Sequence, residues 1–227
     1  MSNGRETILS NIKKALKTAS QIPELYNDEE EQLTKEIIAN RPKTKEQLWK
    51  RFGEELQAVD GEFQLFENSD NVAGYIADFL KKNNYKQLSI SGDEICQQVA
   101  EKIKAKYGGI EIVQATSFSG EDRKANLAEI AVSLVAADWA MAETGSVVVT
   151  YEQSRTSYPH FLAETVFAIA HYERIAADIF ELFKNIKPEQ AKNMVIISGP
   201  SRTADIEKIL ILGAHGPRQF IVTVLSE

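Results

Sequence analysis

The chain has 227 residues, of which 43% are hydrophobic and 26% are charged, and its formal net charge is −7. This is the composition of an ordinary globular protein, and it argues against a disordered chain or a fibre. A negative chain without runs of lysine and arginine is also a poor partner for nucleic acid. The single cysteine, Cys96, excludes an internal disulfide framework and an iron–sulfur cluster held by this chain alone.

No segment of the sequence has the pattern of a membrane span. The longest apolar stretch, Ile130–Ala142, covers about 13 residues, whereas a transmembrane helix needs roughly 20. The first 20 residues place Ile8, Leu9 and Ile12 on one helical stripe, but they lack the continuous apolar core of a secretory signal. We therefore expect a cytoplasmic protein that has no membrane partner.

The first 60 residues carry helix signals and little β pattern. Three stretches, Arg5–Lys17, Glu29–Ala39 and Lys45–Val59, are amphipathic or rich in helix-favouring residues. We predict an N-terminal helical arm over residues 1–60 and one α/β domain over residues 61–227. The arm either packs on this domain or on a second copy of it, which leaves a homo-oligomer open, or it is a docking surface for partner subunits.

From Glu62 onward, short β-favouring runs alternate with helical stretches. The predicted strands are Phe63–Phe66, Gln87–Ile90, Glu111–Val113, Ile130–Ala136, Ser146–Thr150, Val166–Ala170, Met194–Ser198 and Phe220–Leu225. The predicted helices are Asn71–Lys82, Glu94–Lys106, Ile175–Lys184 and Ala204–Leu212. Such alternation predicts βαβ units, and hence an α/β fold with a mainly parallel twisted sheet flanked by helices.

The first segment with chemical potential is a pair of carboxylates in an apolar setting. Asp138 and Glu143 lie five residues apart, and Thr144, Gly145 and Ser146 then predict a tight turn or bulge before a strand. A partly buried Glu143 would need a hydrogen-bonding or cationic partner, and it could act as acid, base, nucleophile or ligand clamp. The alternative is a glutamate that caps local backbone amides.

The second segment joins a β run to an expected helix through a Gly-Pro turn. Gly199 begins the turn, Ser201 or Thr203 is the expected N-cap, and Asp205 falls in the first helical turn. Free amides at such a helix start, together with Arg202, could hold a carboxylate or a phosphate. The alternative is an ordinary capped turn, because the acid already satisfies the helix dipole.

The third segment is a constrained loop before the last strand. Gly216 and Pro217 fix a turn that displays His215 and Arg218. His215 could be a proton carrier or a hydrogen-bond donor to a bound anion, and the alternative is a hydrogen-bonded spacer. Arg155, in a polar and aromatic stretch, is either a second carboxylate clamp or a solvated loop arginine. The sequence has no phosphate-binding glycine loop, serine elbow or metal-binding histidine pattern, so we expect no cofactor and no metal.

Together the three segments resemble the lactate-utilisation protein C family, whose members consist of a LUD domain. The motifs are Ala-Glu-Thr-Gly-Ser, Gly-Pro-Ser-Arg-Thr-Ala-Asp-Ile-Glu and Gly-Ala-His-Gly-Pro-Arg, in this order, and the resemblance extends from about Asn126 to the C-terminus. It implies a fold similar to the group of sugar isomerases, CoA transferases and formyltetrahydrofolate cyclo-ligases. One departure is that the family usually has a Pro and a His shortly before the strand at Val166–Ala170, whereas here Pro159-His160 lies several residues earlier.

The resemblance also implies a function. Similar members are linked with the oxidation of L-lactate to pyruvate beside two iron–sulfur partner proteins. This chain would be the cluster-free component, in which Arg155 or Arg202 engages a small carboxylate and Glu143 shapes the site. Two alternatives are a stand-alone transferase or isomerase that uses Glu143, by analogy of fold alone, and a non-catalytic regulatory or scaffolding module built on the helical arm.

Overall fold

The structure is a computed structural model that describes residues 3–18, 32, 35, 41–118, 122–151, 158–187, 193–204, 210–212 and 216–226. The chain divides into two compact units, Met1–Arg41 and Pro42–Glu227. The first unit contains helix α1 (Asn3–Thr18), and most of the helix predicted at Glu29–Ala39 lies outside the described residues. None of the helices within these ranges is long and apolar enough to cross a membrane.

The second unit holds most of the described helices and every described strand. Its helices are α2 (Lys45–Ala58), α3 (Ser69–Lys82), α4 (Glu94–Lys106), α5 (Arg123–Ala128), α6 (Tyr158–Leu162) and α7 (Ile179–Asn185). Its strands are β1 (Glu62–Phe66), β2 (Gln87–Ile90), β3 (Glu111–Gln114), β4 (Val132–Ala136), β5 (Trp139–Met141), β6 (Ser146–Thr150), β7 (Thr165–His171), β8 (Ile175–Ala176), β9 (Met194–Ile197), β10 (Arg202–Ala204), β11 (Leu210–Leu212) and β12 (Gln219–Leu225).

Helix α2, which the sequence placed in the arm, belongs to the second unit. It begins with a capping box, in which the Thr44 side chain accepts from the Gln47 amide and the Gln47 side chain accepts from the Thr44 amide. Its buried face carries Trp49, Phe52 and Leu56, which pack in the same hydrophobic cluster as the strands of the main sheet. The predicted arm of residues 1–60 is therefore shared between the two units.

The main sheet has six strands in the order β1-β12-β7-β4-β2-β3, and every pairing between them is parallel. Strand β4 is buried at all five positions, as expected for a parallel strand that is covered on both faces. Leu134 packs with α3 and α4 on one face, and the next residue, Val135, packs with α2 on the other. The predicted α/β fold, with a mainly parallel sheet flanked by helices, is confirmed.

A second sheet extends from the carboxyl ends of two neighbouring strands of the main sheet. Its four strands have the order β8-β5-β6-β9, with β6 antiparallel to both of its neighbours. The chain passes from β4 into β5 through Asp138, and from β7 into β8 through the turn that ends at Arg174. This sheet was not expected as a separate layer, because the sequence prediction placed no strand at Trp139–Met141 and assigned Ile175 and Ala176 to a helix.

The helix predicted over Ala204–Leu212 is wrong at both of its ends. Arg202–Ala204 and Leu210–Leu212 are instead two antiparallel strands, with Arg202 opposite Leu212. A short apolar run such as Leu210–Leu212 cannot be assigned to helix or strand by periodicity, and pairing with another strand decided the outcome. The expected helix N-terminus after Gly199 is therefore absent where the structure describes the chain.

The helix predicted over Ile175–Lys184 is correct only in its second half. Ile175 and Ala176 form strand β8, which pairs with β5. The helix starts after Asp178, whose carboxylate accepts from the amides of Phe180 and Glu181 at 2.8 and 2.9 Å. An aspartate that satisfies two amides at this position is a strong N-cap, and it fixes where the helix begins.

Candidate functional site

The first predicted segment forms the hairpin between β5 and β6. Met141 pairs with Ser146, so residues 142–145 are the loop, and the predicted tight turn is present. Gly145 is buried with φ +59°, and a Cβ placed on it would lie 2.3 Å from the backbone nitrogen of Leu56 in α2. Only glycine fits both the backbone conformation and this contact. The Glu143 side chain is exposed rather than partly buried, and its amide donates to the Ala177 carbonyl.

A chain of three hydroxyl groups joins this hairpin to the second predicted segment. The Ser146 hydroxyl lies 2.6 Å from that of Thr144 and 2.7 Å from that of Ser198. The antiparallel pairing of β6 with β9, in which Val147 opposes Ile197, brings Ser146 and Ser198 together. Ser146 itself is fully buried, so its position is set by packing.

The second and third segments are also in contact. The Ser201 amide donates to the Pro217 carbonyl at 2.7 Å. A Cβ on Gly216 would lie 3.0 Å from that of Ser201, and one on Gly199 would lie 2.8 Å from a methyl group of Val59. The three turns thus converge beside the end of α2, and we call Glu143–Ser146, Ser198–Arg202 and Gly216–Arg218 together the turn cluster.

Arg202 supplies a cationic side chain to the turn cluster. Its guanidinium forms an ion pair with the carboxylate of Asp60, the residue that follows the C-cap of α2. Asp60 is exposed and has φ +61°, a left-handed conformation that asparagine and aspartate tolerate best among residues with a Cβ. The Arg218 side chain is exposed as well, and its amide donates to the Glu164 carbonyl.

Four predicted site residues lie wholly or partly outside the described part of the chain. Arg155, Asp205 and His215 lie outside the described residues, and Thr203 is described only through its backbone, in β10.

The turn cluster lies at the amino edge of the main sheet. Asp60 precedes β1 by two residues, and Gly216 precedes β12 by three.

A cleft at the opposite, carboxyl edge of the main sheet was not predicted. It has a volume of about 320 Å³, and we call it the carboxyl-edge cleft. It is lined by Asp93, Glu94, Ile95, Gln98, Ala136, Ala137, Asp138, Ile169, His171 and Arg174. Burial, with a smaller contribution from the charge of Arg174, lowers the pKa of His171 below its ordinary value. In the sequence, polar residues follow the strands β2, β4 and β7. This pattern could predict the cleft only once the three strands were known to be neighbours in the sheet.

The Pro159-His160 pair lies in α6, directly before β7. The Pro159 carbonyl accepts from the hydroxyl of Ser133 at 2.9 Å, and the imidazole of His160 lies 2.8 Å from the Tyr151 hydroxyl. His160 is only 3% exposed, and this burial lowers its pKa to about 4. The imidazole is therefore neutral at physiological pH, and it packs against the rings of Tyr151 and Phe161.

Comparison with known proteins agrees with this fold. The structure is similar to the crystal structure of a DUF162 family protein from Deinococcus radiodurans, with a TM-score of 0.60 at 12% identity, over 82% of this chain and 100% of that one. The sequence is 26% identical over 129 residues to lactate utilization protein C of Bacillus pumilus, which covers 54% of each chain. It is 32% identical over 104 residues to the protein of the same name from Geobacillus thermodenitrificans, which covers 42% of each.

The chain thus spans about half the length of these curated relatives. The model of the LUD domain family matches residues 49–225, which include most of α2, all strands of both larger sheets and the whole turn cluster. The family resemblance expected from the three motifs is confirmed. The chain belongs to the LUD domain family.

Proposed function

We propose that this chain is a cluster-free LUD-domain component of an L-lactate utilisation system, that it works beside iron–sulfur proteins, and that its turn cluster binds a small carboxylate. Relatives named lactate utilization protein C support the role in lactate use. The only cysteine is buried in the core, which is consistent with a component whose redox clusters belong to other chains.

The observation that carries the binding proposal is the convergence of the three turns. Lactate presents a carboxylate and a neighbouring hydroxyl, and both bind best to fixed hydrogen-bond donors. The exposed hydroxyls of Thr144 and Ser198 supply such groups, each held in place by its contact with the buried hydroxyl of Ser146. Arg202 supplies the planar pair of donors suited to a carboxylate. Exposed Glu143 borders the same turns, where it is accessible to a ligand as an acid or base.

Asp60 and a bound carboxylate would compete for the same guanidinium. Replacing Arg202 by glutamine should weaken L-lactate binding by about tenfold or more, because a hydrogen bond between charged groups is lost. Replacing Asp60 by asparagine should instead strengthen it by roughly two- to fivefold, because an exposed ion pair that opposes binding contributes at most about 1 kcal/mol. Titration calorimetry with L-lactate measures both effects.

These two substitutions form a matched pair, since asparagine keeps the left-handed backbone of position 60. Weaker L-lactate binding by Arg202→Gln together with tighter binding by Asp60→Asn would support the site. Equal affinities of the wild type, Arg202→Gln and Asp60→Asn would remove Arg202 from the binding site. A variant at Lys104, which is exposed on α4, controls for a general effect of surface charge.

The role in lactate use is tested in the organism that encodes the chain. Deleting the gene should abolish or strongly slow growth on L-lactate while growth on glucose is unchanged, and a wild-type copy should restore it. Affinity capture of the tagged chain from lactate-grown cells should recover proteins with the visible absorbance of iron–sulfur clusters. Normal growth of the deletion strain on L-lactate would refute the proposed role.

A further inference from the structure

The three hydroxyl groups of the turn cluster form a chain whose middle member is shielded from water. Ser146 is fully buried, whereas Thr144 and Ser198, at the two ends of the chain, are exposed. Within the described part of the protein, the Ser146 hydroxyl lies 2.6 Å from the Thr144 hydroxyl, 2.7 Å from the Ser198 hydroxyl and 3.4 Å from the Thr144 carbonyl oxygen. These distances determine how the protons of the chain are arranged.

The Ser146 proton is donated to one of the two neighbouring hydroxyls. A buried hydroxyl has lost its hydrogen bonds with water, so it has to donate within the protein. The Thr144 carbonyl oxygen lies beyond the usual range of about 2.5–3.0 Å for an O–H···O bond, whereas both hydroxyl contacts lie within it. Ser146 therefore donates either to Thr144 or to Ser198.

Each of the two short contacts holds one proton, and Ser146 supplies only one of them. The exposed hydroxyl that accepts the Ser146 proton has its own proton available for a group outside the protein. The other exposed hydroxyl donates to Ser146, so it offers only its lone pairs to the outside. Rotation of the Ser146 hydroxyl exchanges these two roles. In either arrangement, Thr144 and Ser198 together present one donor and one acceptor.

We propose that Ser146 is a positioning residue that makes the turn cluster selective for 2-hydroxy carboxylates over 2-oxo carboxylates. The inference rests on the proposed lactate site, and it adds a distinction between the reduced and the oxidised form of the ligand. A 2-hydroxy carboxylate presents an acceptor, its carboxylate oxygen, beside a donor, its hydroxyl, and so matches the protein pair. A 2-oxo carboxylate such as pyruvate presents two acceptors, one of which would face a lone pair of the protein.

The spacing of the exposed pair suits such a ligand. The hydroxyls of Thr144 and Ser198 are both within hydrogen-bonding distance of one oxygen atom, so they lie roughly 4–5 Å apart. The hydroxyl and the nearer carboxylate oxygen of a 2-hydroxy acid are about 3 Å apart, so each can reach one protein hydroxyl with a bond of ordinary length. Arg202 would not discriminate, because it would bind the carboxylate that both classes of ligand share.

The test compares L-lactate with pyruvate, which differ only in the oxidation state of the second carbon. In titration calorimetry, the wild type should bind L-lactate about fivefold or more tightly, because pyruvate replaces a hydrogen bond with a contact between two acceptors. In Ser146→Ala both exposed hydroxyls are free to rotate and donate, so the ratio of the two affinities should fall below about twofold. Ser198→Ala, which changes an exposed group, should lower the ratio as well, because one member of the pair is lost. A general loss of structure would weaken both ligands without changing the ratio.

Two further variants serve as controls. Ser133→Ala removes another fully buried serine hydroxyl, one that lies in the main sheet and donates to the Pro159 carbonyl, and it should keep the wild-type ratio. Arg202→Gln should weaken both ligands alike and also keep the ratio. Equal affinities of the wild type for L-lactate and pyruvate, or a wild-type ratio in Ser146→Ala, would overturn the inference and leave the proposed lactate site intact. Binding of neither ligand would overturn both together.

Discussion

Replacement of Gly145 by alanine is expected to lower the free energy of unfolding by more than about 3 kcal/mol. The left-handed backbone alone costs a residue with a Cβ about 1–2 kcal/mol. The larger part comes from contact, because the new Cβ would lie 2.3 Å from the Leu56 nitrogen and 2.8 Å from the carbonyl carbon of Glu55. Both are backbone atoms of α2, so no side-chain rotation relieves the clash. Urea unfolding of the purified variant measures the loss.

Gly109 provides the matched control. It also has a left-handed backbone, with φ +84°, but a Cβ at this position would meet no atom within 4 Å. Gly109→Ala should therefore lower the free energy of unfolding by only about 1 kcal/mol. The difference between the two variants separates the cost of the close contact from the cost of the backbone conformation. A Gly145→Ala variant no less stable than Gly109→Ala would contradict the close packing of the hairpin on α2.

Acidification from pH 7.5 to pH 5 is expected to remove about 2 kcal/mol of stability through His160 alone. Burial lowers the pKa of this imidazole to about 4, whereas the unfolded chain takes up the proton near its ordinary value of 6.5. Between these values the unfolded state binds more protons, so the stabilisation is complete above pH 6.5 and is lost as the pH falls towards 4. Urea unfolding at several pH values measures how steeply the free energy of unfolding changes with pH.

His160→Gln removes the titration, and its stability should therefore depend less on pH over the same window, whatever its absolute stability. His171 contributes in the same direction, since its pKa is also lowered, and a His171→Gln variant separates the two. Asp70, whose pKa is lowered to about 2 by its contacts with Lys102 and Lys106, titrates below this window and does not interfere. An unchanged slope in His160→Gln would show that the imidazole is not buried in its neutral form.

The strands of the main sheet could be predicted from the sequence because burial on both faces leaves a strong local signature. Runs such as Val166–Ala170 and Phe220–Leu225 are mostly apolar and rich in β-branched or aromatic residues, and both became strands within one residue at each end. Helices α3 and α4 were equally clear, since their apolar residues recur on one face. The errors at Ala204–Leu212 and Ile175–Lys184 fell on short segments whose state depends on a partner strand.

The two candidate sites also differ in how far the sequence could predict them. The glycine-rich motifs are local, so the sequence alone identified the turns around Gly145, Gly199 and Gly216. The carboxyl-edge cleft is formed by residues that follow three strands far apart in the chain, and Glu94 and Arg174 carry no shared motif. In the structure the Glu143 side chain is exposed, and Arg202 forms an ion pair with Asp60. No local sequence pattern could indicate either feature.

The sequence by itself determined the α/β class, the main parallel strands and the family motifs, because each depends on residues that are neighbours along the chain or on one face of one element. Tertiary structure alone decided that α2 joins the second unit, that Arg202 lies on a strand, and that the turn cluster and the carboxyl-edge cleft lie at opposite edges of the main sheet. These outcomes depend on strand order and on packing between distant segments, and no local preference encodes either of them.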